Sequence, residues 1–158
     1  AQGLRVTLLI AGEGEQRATL EAQAVQSGVD ARFLGFVNID ALPALYAAAD
    51  VFAHPAEREP YGMVAVEAAI AGLPLVVTED MGAVGPGSIA RPGVPALVPR
   101  TGDVGALAAH LRRLAADPDF RARLAAGSRV LSEDHDGKKS VAAVLAAADL
   151  KKATARDL

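Results

Sequence analysis

The stretch from Asp50 to Val77, D-V-F-A-H-P-A-E-R-E-P-Y-G-M-V-A-V-E-A-A-I-A-G-L-P-L-V-V, leaves few architectures open. Val51 to Ala53 is a short apolar run that stops at Pro55, and Pro60 with Gly62 breaks up the polar loop Ala56 to Tyr61. From Met63 to Ala71 the residues are small or good helix formers. Gly72 stands where a left-handed cap is wanted, and Pro74 leads into a second apolar strand, Leu75 to Thr78. Strand, loop, helix and strand at this spacing predict a βαβ unit. Its strands lie parallel, and ligands gather at their carboxyl ends.

That topology puts the loop in the crevice. Gly62 carries no side chain to shield the first N–H groups of the helix, so an anion such as a phosphate can meet the positive end of the helix dipole there. Glu59 lies just before this terminus, and Glu67 lies one turn after Met63 on the same face. Carboxylates repel phosphate but accept hydrogen bonds from hydroxyls. Two of them beside a phosphate-binding helix terminus describe a pocket for a sugar nucleotide.

At these residues the chain resembles a known family. Two glutamates separated by seven residues, with Pro-aromatic-Gly-Met after the first and Glu-Ala at the second, resemble the donor-site signature of retaining glycosyltransferases of the GT-B fold, group 1 or family 4 type. The resemblance implies an α/β, Rossmann-like parallel sheet flanked by helices, the carboxy-terminal half of a GT-B enzyme. It implies Glu59 and Glu67 as the candidate catalytic residues, Glu59 facing the donor sugar hydroxyls and Glu67 the ribose. The amides around Gly62, Met63 and Val64 would meet the sugar and diphosphate. Val37, near the end of the second strand, is the candidate for a backbone contact to the base. Gly12 stands in a Gly-x-Gly that the family commonly has at this place, and would border the pocket. No cofactor or metal is expected, the nucleotide diphosphate sugar being the donor substrate.

Composition agrees with one ordinary domain. The 158 residues are 51% hydrophobic but only 4% aromatic, so the core must be built from Ala, Val and Leu. The absence of Cys excludes disulfides and thiolate chemistry. A net charge of −3 gives no general attraction to nucleic acid or anionic lipid. No run approaches the length of a membrane span, and a soluble, cytoplasmic protein is expected.

Along the chain, Leu4 to Ile10 reads as a buried parallel strand, followed by A-G-E-G-E. Gly12-Glu13-Gly14 is not a dinucleotide phosphate cradle, since Arg17 occupies the third glycine position and Glu13 and Glu15 would repel a diphosphate. A tight turn is expected instead, with its acidic residues favouring the start of a helix from Gln16 to Ser27 that Gly28 ends. Ala31 to Val37 is the second strand, and Asp40 reads as the N-cap of a short helix, Ala41 to Ala48. His54 reads as structural rather than as a general base, having no evident partner. The Gly- and Pro-rich segment after Thr78 is a loop with two readings. It either folds over the diphosphate, with Gly82 and Gly85 offering N–H groups and Arg91 its charge, or forms a mobile surface connection. Ala96 to Val98 is a further strand. Helices follow from Val104 to Ala116, from Asp117-Pro118 to Val130, and from Lys138 to about Leu150, with Lys138, Lys139, Lys151 and Lys152 as a solvated face.

Residues 1–150 thus form a donor-binding domain and 151–158 a tail. Family donor domains open with a strand and helix that carry an Arg and a Lys against the diphosphate. This sequence begins at the following strand, so neither cation is assigned. The domain is read as incomplete at its amino end, and inactive without those cations and without an acceptor-binding domain. In a doubly wound sheet that earlier strand is central. The gap is expected to close by rearrangement or to take a strand from a partner chain, which makes a homo-oligomer one outcome. The competing readings are a non-catalytic nucleotide-binding or interaction module, and a non-hydrolysing nucleotide-sugar epimerase, which the Glu59 to Glu67 spacing fits less well.

Overall fold

The computed structural model describes residues 5–134. The expected last helix, the tail and the four lysines lie outside them. Five strands and five helices follow in the order β1 (Thr7–Ala11), α1 (Arg17–Ser27), β2 (Asp30–Gly35), α2 (Leu42–Ala47), β3 (Phe52–His54), α3 (Met63–Ile70), β4 (Leu75–Val77), β5 (Ala96–Leu97), α4 (Val104–Ala116) and α5 (Pro118–Asp134).

All strand pairings within named strands are parallel, and helices flank the sheets, as expected for a Rossmann-like α/β chain. The strands do not form one sheet, however. β1 pairs with β2, and β3, β4 and β5 form a second sheet with β4 in the middle. No pairing joins β1 to β3 among the described residues.

The core sits around β4. Leu75, Val76 and Val77 are each 0% exposed, and their alternation sends Leu75 and Val77 to one face and Val76 to the other. On the first face lie Ala65, Ala68 and Ala69 of α3, whose i, i+3, i+4 spacing makes a flat stripe that lets the helix pack close to the sheet. On the second face lie Leu114 of α4 and Leu124 of α5. Burying each of the three β4 side chains stabilises the fold by about 1.5–3 kcal/mol. Farther along, α5 crosses to the first face. Its Leu131 joins the α3 cluster, and the buried Ser128 hydroxyl donates to the Leu73 carbonyl.

Helix starts follow side-chain capping where the sequence provides it. Asp103 accepts from the Ala106 amide and Asp117 from the Phe120 amide, both at 2.8 Å. Asp40 does not cap α2. It falls inside a 3₁₀ turn, Ile39–Ala41, and the helix starts at Leu42 without a side-chain cap. Pro43 in the first turn explains the shift, because its fixed φ and missing N–H suit that position.

Candidate functional site

The loop after β3 is held by a second loop. Thr78, just past β4, donates its hydroxyl to the Ala56 carbonyl at 2.5 Å. The Gly82 amide donates to the Glu59 carbonyl at 2.7 Å, and Glu59 and Met81 form a parallel bridge. A Cβ on Gly82 would lie 2.0 Å from the Pro60 carbonyl oxygen, so only glycine permits this approach. The segment after Thr78 is therefore packed rather than a mobile surface connection. Met81, Ala83, Ile89 and Ala90 are all buried in the main cluster. The Gly82 N–H, expected to be free for a diphosphate, is engaged by Glu59.

Gly62 serves the same packing. Its φ of 70° is left-handed, and a Cβ there would meet Ala83 Cβ at 2.7 Å and Met81 Cγ at 2.9 Å. Close approach by the 81–83 segment therefore requires this glycine, a reason separate from ligand access.

Glu59 occupies part of the helix terminus. Its Oε1 accepts from the amides of Tyr61 at 3.2 Å and Gly62 at 3.0 Å. These two amides, that of Gly62 first, hold the carboxyl below the usual glutamate range. The terminus is thus less open to an anion than expected: an acidic side chain already takes two donors. The N–H groups of Met63 and Val64 remain without a partner among the described residues. Glu59 Oε2 faces His54 Nε2 at 3.8 Å. The imidazole stacks on Phe52, and its Nε2 is buried without a hydrogen bond. His54 thus has an acidic neighbour that the sequence did not reveal.

Glu67, half buried in the second turn of α3, accepts at Oε2 from the Tyr46 hydroxyl of α2 at 2.9 Å. Its Oε1 has no hydrogen bond among the described residues. Tyr46 was legible only as part of an apolar helix face. Its one distinguishing signal was being a rare aromatic in a run of alanines.

The remaining site residues lie on the first sheet. The Gly12 amide, at φ 120°, donates to the Gly35 carbonyl at 2.8 Å, which ties the carboxyl ends of β1 and β2 together. Val37 follows two residues later, half buried. Arg17 binds Glu13 and Glu21 and donates to the Phe33 carbonyl, so Glu13 braces the turn rather than the helix start, whose first turn holds no acidic residue. Glu59, Gly62, Met63, Val64 and Glu67 share the carboxyl end of β3 and the start of α3. No hydrogen bond joins Gly12 or Val37 to that group among the described residues.

A cleft of about 350 Å³ lies elsewhere, lined by Ala49, Asp50, Gly72, Pro74, Arg121 and Arg129 among others. These residues precede β3 and β4 or belong to α5, at the amino ends of the strands; Tyr46, which bonds Glu67, also lines the cleft, while Glu59 and Glu67 do not. No group of His, Asp and Glu among the described residues has the arrangement of a metal centre. No helix among them is long and apolar enough to cross a membrane.

The sequence pattern of the family described as Glycosyl transferases group 1 matches residues 1–130. The chain is 34% identical over 141 residues to 2-deoxystreptamine glucosyltransferase of Streptomyces kanamyceticus, covering 84% of this chain and 34% of that protein. It is 41% identical over 133 residues to glycogen synthase of Mycobacterium tuberculosis, covering 82% and 31% respectively. It spans about a third of the length of these curated relatives. Among solved structures, Anabaena HepE in complex with UDP and glucose superposes with a TM-score of 0.74 at 28% identity, over 90% of this chain and 41% of that one.

Proposed function

Because this chain belongs to the glycosyl transferases group 1 family, we propose that it forms the donor side of a retaining glycosyltransferase. The enzyme moves a sugar from a nucleotide diphosphate sugar to an acceptor hydroxyl, and a further domain presents the acceptor. The carrying observation is the pair of carboxylates at the start of α3. Each has one oxygen fixed by the protein's own donors; among the described residues Oε1 of Glu67 has no hydrogen bond and Oε2 of Glu59 has only His54 beside it at 3.8 Å, which leaves both oxygens for a hydroxyl-rich ligand.

In this reading Glu59 accepts from the donor sugar hydroxyls and Glu67 from the ribose. The partnerless amides of Met63 and Val64, at the positive end of the helix dipole, meet the diphosphate. Charge gathers on the diphosphate as it departs, and donors fixed in advance stabilise it without reorganising. Gly62 sets the direction of the helix start, the backbone at Val37 contacts the base, and Gly12 borders the pocket. HepE, crystallised with UDP and glucose, supports a ligand of this class.

Calorimetric titration of the full-length protein with UDP, GDP, ADP and their glucose or mannose conjugates tests the reading. One nucleotide is expected to bind, with affinity falling roughly ten-fold or more in Glu67→Ala. Unchanged affinity in that variant removes Glu67 from the site. Binding with no sugar transfer to any acceptor and no hydrolysis favours the non-catalytic module.

A further inference from the structure

Tyr46 and Glu67 lie 21 residues apart, on α2 and α3, and meet through one hydrogen bond of 2.9 Å. The phenol reaches Glu67 from an anchored ring. Tyr46 packs against the main core cluster and meets the Phe52 ring at a centroid distance of 6.2 Å and an interplanar angle of 58°. Burial first, and the Glu67 carboxylate second, push the phenol's pKa above its ordinary value, so it remains a proton donor throughout the physiological range. A glutamate on an exposed helix face turns freely about its last torsion. Here a rigid aromatic donor fixes Oε2, which in turn fixes the carboxylate plane and the direction of the open Oε1.

We infer that Tyr46 is a positioning residue. By holding Oε2 it aims Oε1 of Glu67 at the ribose hydroxyls, and so sets how strongly the site prefers a ribonucleotide over one lacking those hydroxyls. The inference rests on the reading that Glu67 takes the ribose. It adds that this selectivity depends on a residue that does not itself touch the ligand.

Tyr46→Phe keeps the ring and removes only the donor. The measurement is the affinity of the full-length wild type, Tyr46→Phe and Glu67→Ala for UDP, GDP and ADP, each beside its 2′,3′-dideoxy counterpart. Thermal melting of all three proteins is followed in parallel. Wild type is expected to prefer one ribonucleotide over its dideoxy form, and Glu67→Ala to erase that preference. Tyr46→Phe should shrink it roughly three- to ten-fold, chiefly by weakening the ribonucleotide. A Tyr46→Phe protein that keeps the wild-type ratio overturns the inference and leaves Glu67 in place. So does one that weakens both forms equally, since that loss is structural. A Glu67→Ala protein with an unchanged ratio overturns the ribose reading itself, and the inference with it. The same holds if wild type binds none of the three nucleotides or does not distinguish the dideoxy forms.

Discussion

The chain contains two βαβ units wired alike, β1–α1–β2 and β3–α3–β4, that differ in almost every measure of packing. Both have parallel strands, and the helix of each gives way to a left-handed glycine, Gly28 or Gly72. In the second unit β4 has a strand on either side and helices on both faces, and its three side chains are fully buried. In the first unit, among the described residues, each strand has one neighbour, α1 buries no residue, and Leu8 in β1 remains 45% exposed. An apolar strand sequence therefore does not by itself produce a core. Burial depends on what the rest of the sheet supplies, and the candidate carboxylates stand on the unit that has it.

Substitution of one leucine in each unit tests the contrast most strongly. Leu75→Ala should lower unfolding free energy by about 2–5 kcal/mol, because it empties a fully enclosed site. In the 158-residue chain, Leu8→Ala should cost about 1 kcal/mol or less, since the side chain is 45% exposed there. Denaturant titration reads both, and equal losses would break the comparison.

The glycines sharpen it. Gly28 and Gly62 share nearly the same left-handed φ, 66° and 70°, but a Cβ meets nothing within 4 Å at the first and two side chains below 3 Å at the second. Gly28→Ala should cost only the backbone term, about 1–2 kcal/mol. Gly62→Ala adds an overpacking term of about 1–3 kcal/mol. If the two variants melt together, the 81–83 segment yields to the methyl group.

The smallest effect is one of pH. Glu59 has a depressed pKa in the folded chain, so its amide bonds favour the fold above the ordinary carboxyl range, and this contribution disappears as pH falls through the lowered value. The stability difference between wild type and Glu59→Ala should therefore hold at neutral pH and shrink under acid, below about pH 4.3. A difference that does not vary with pH would mean that Glu59 acts there only through its bulk.

Much of this organisation was legible in residue order. Asp103 and Asp117 announced their helices, Gly72 its left-handed position, and Leu75 to Val77 the central strand. Glu59 and Glu67 were picked out by spacing at the start of one helix. Contacts between distant segments were not legible. Nothing near Gly62 shows that Met81 and Ala83 press against it, and nothing near Glu67 points to Tyr46. The apolar residues Met81, Ala83, Ile89 and Ala90 follow neither a helical nor a strand period, so their segment read as loop although it lies in the core. Asp40 was misplaced as a cap because Pro43 had the stronger claim on where the helix begins.

The interlock of Pro60 with Gly82, and of Ala56 with Thr78, bears on loop length. Connecting segments ordinarily accept insertions and deletions readily, which is how related proteins vary their surfaces. Here two loops from different parts of the chain fit each other in one register, and a residue added to either would misplace its partner. A one-residue insertion in either loop is therefore expected to lower stability even where it leaves every buried side chain in place.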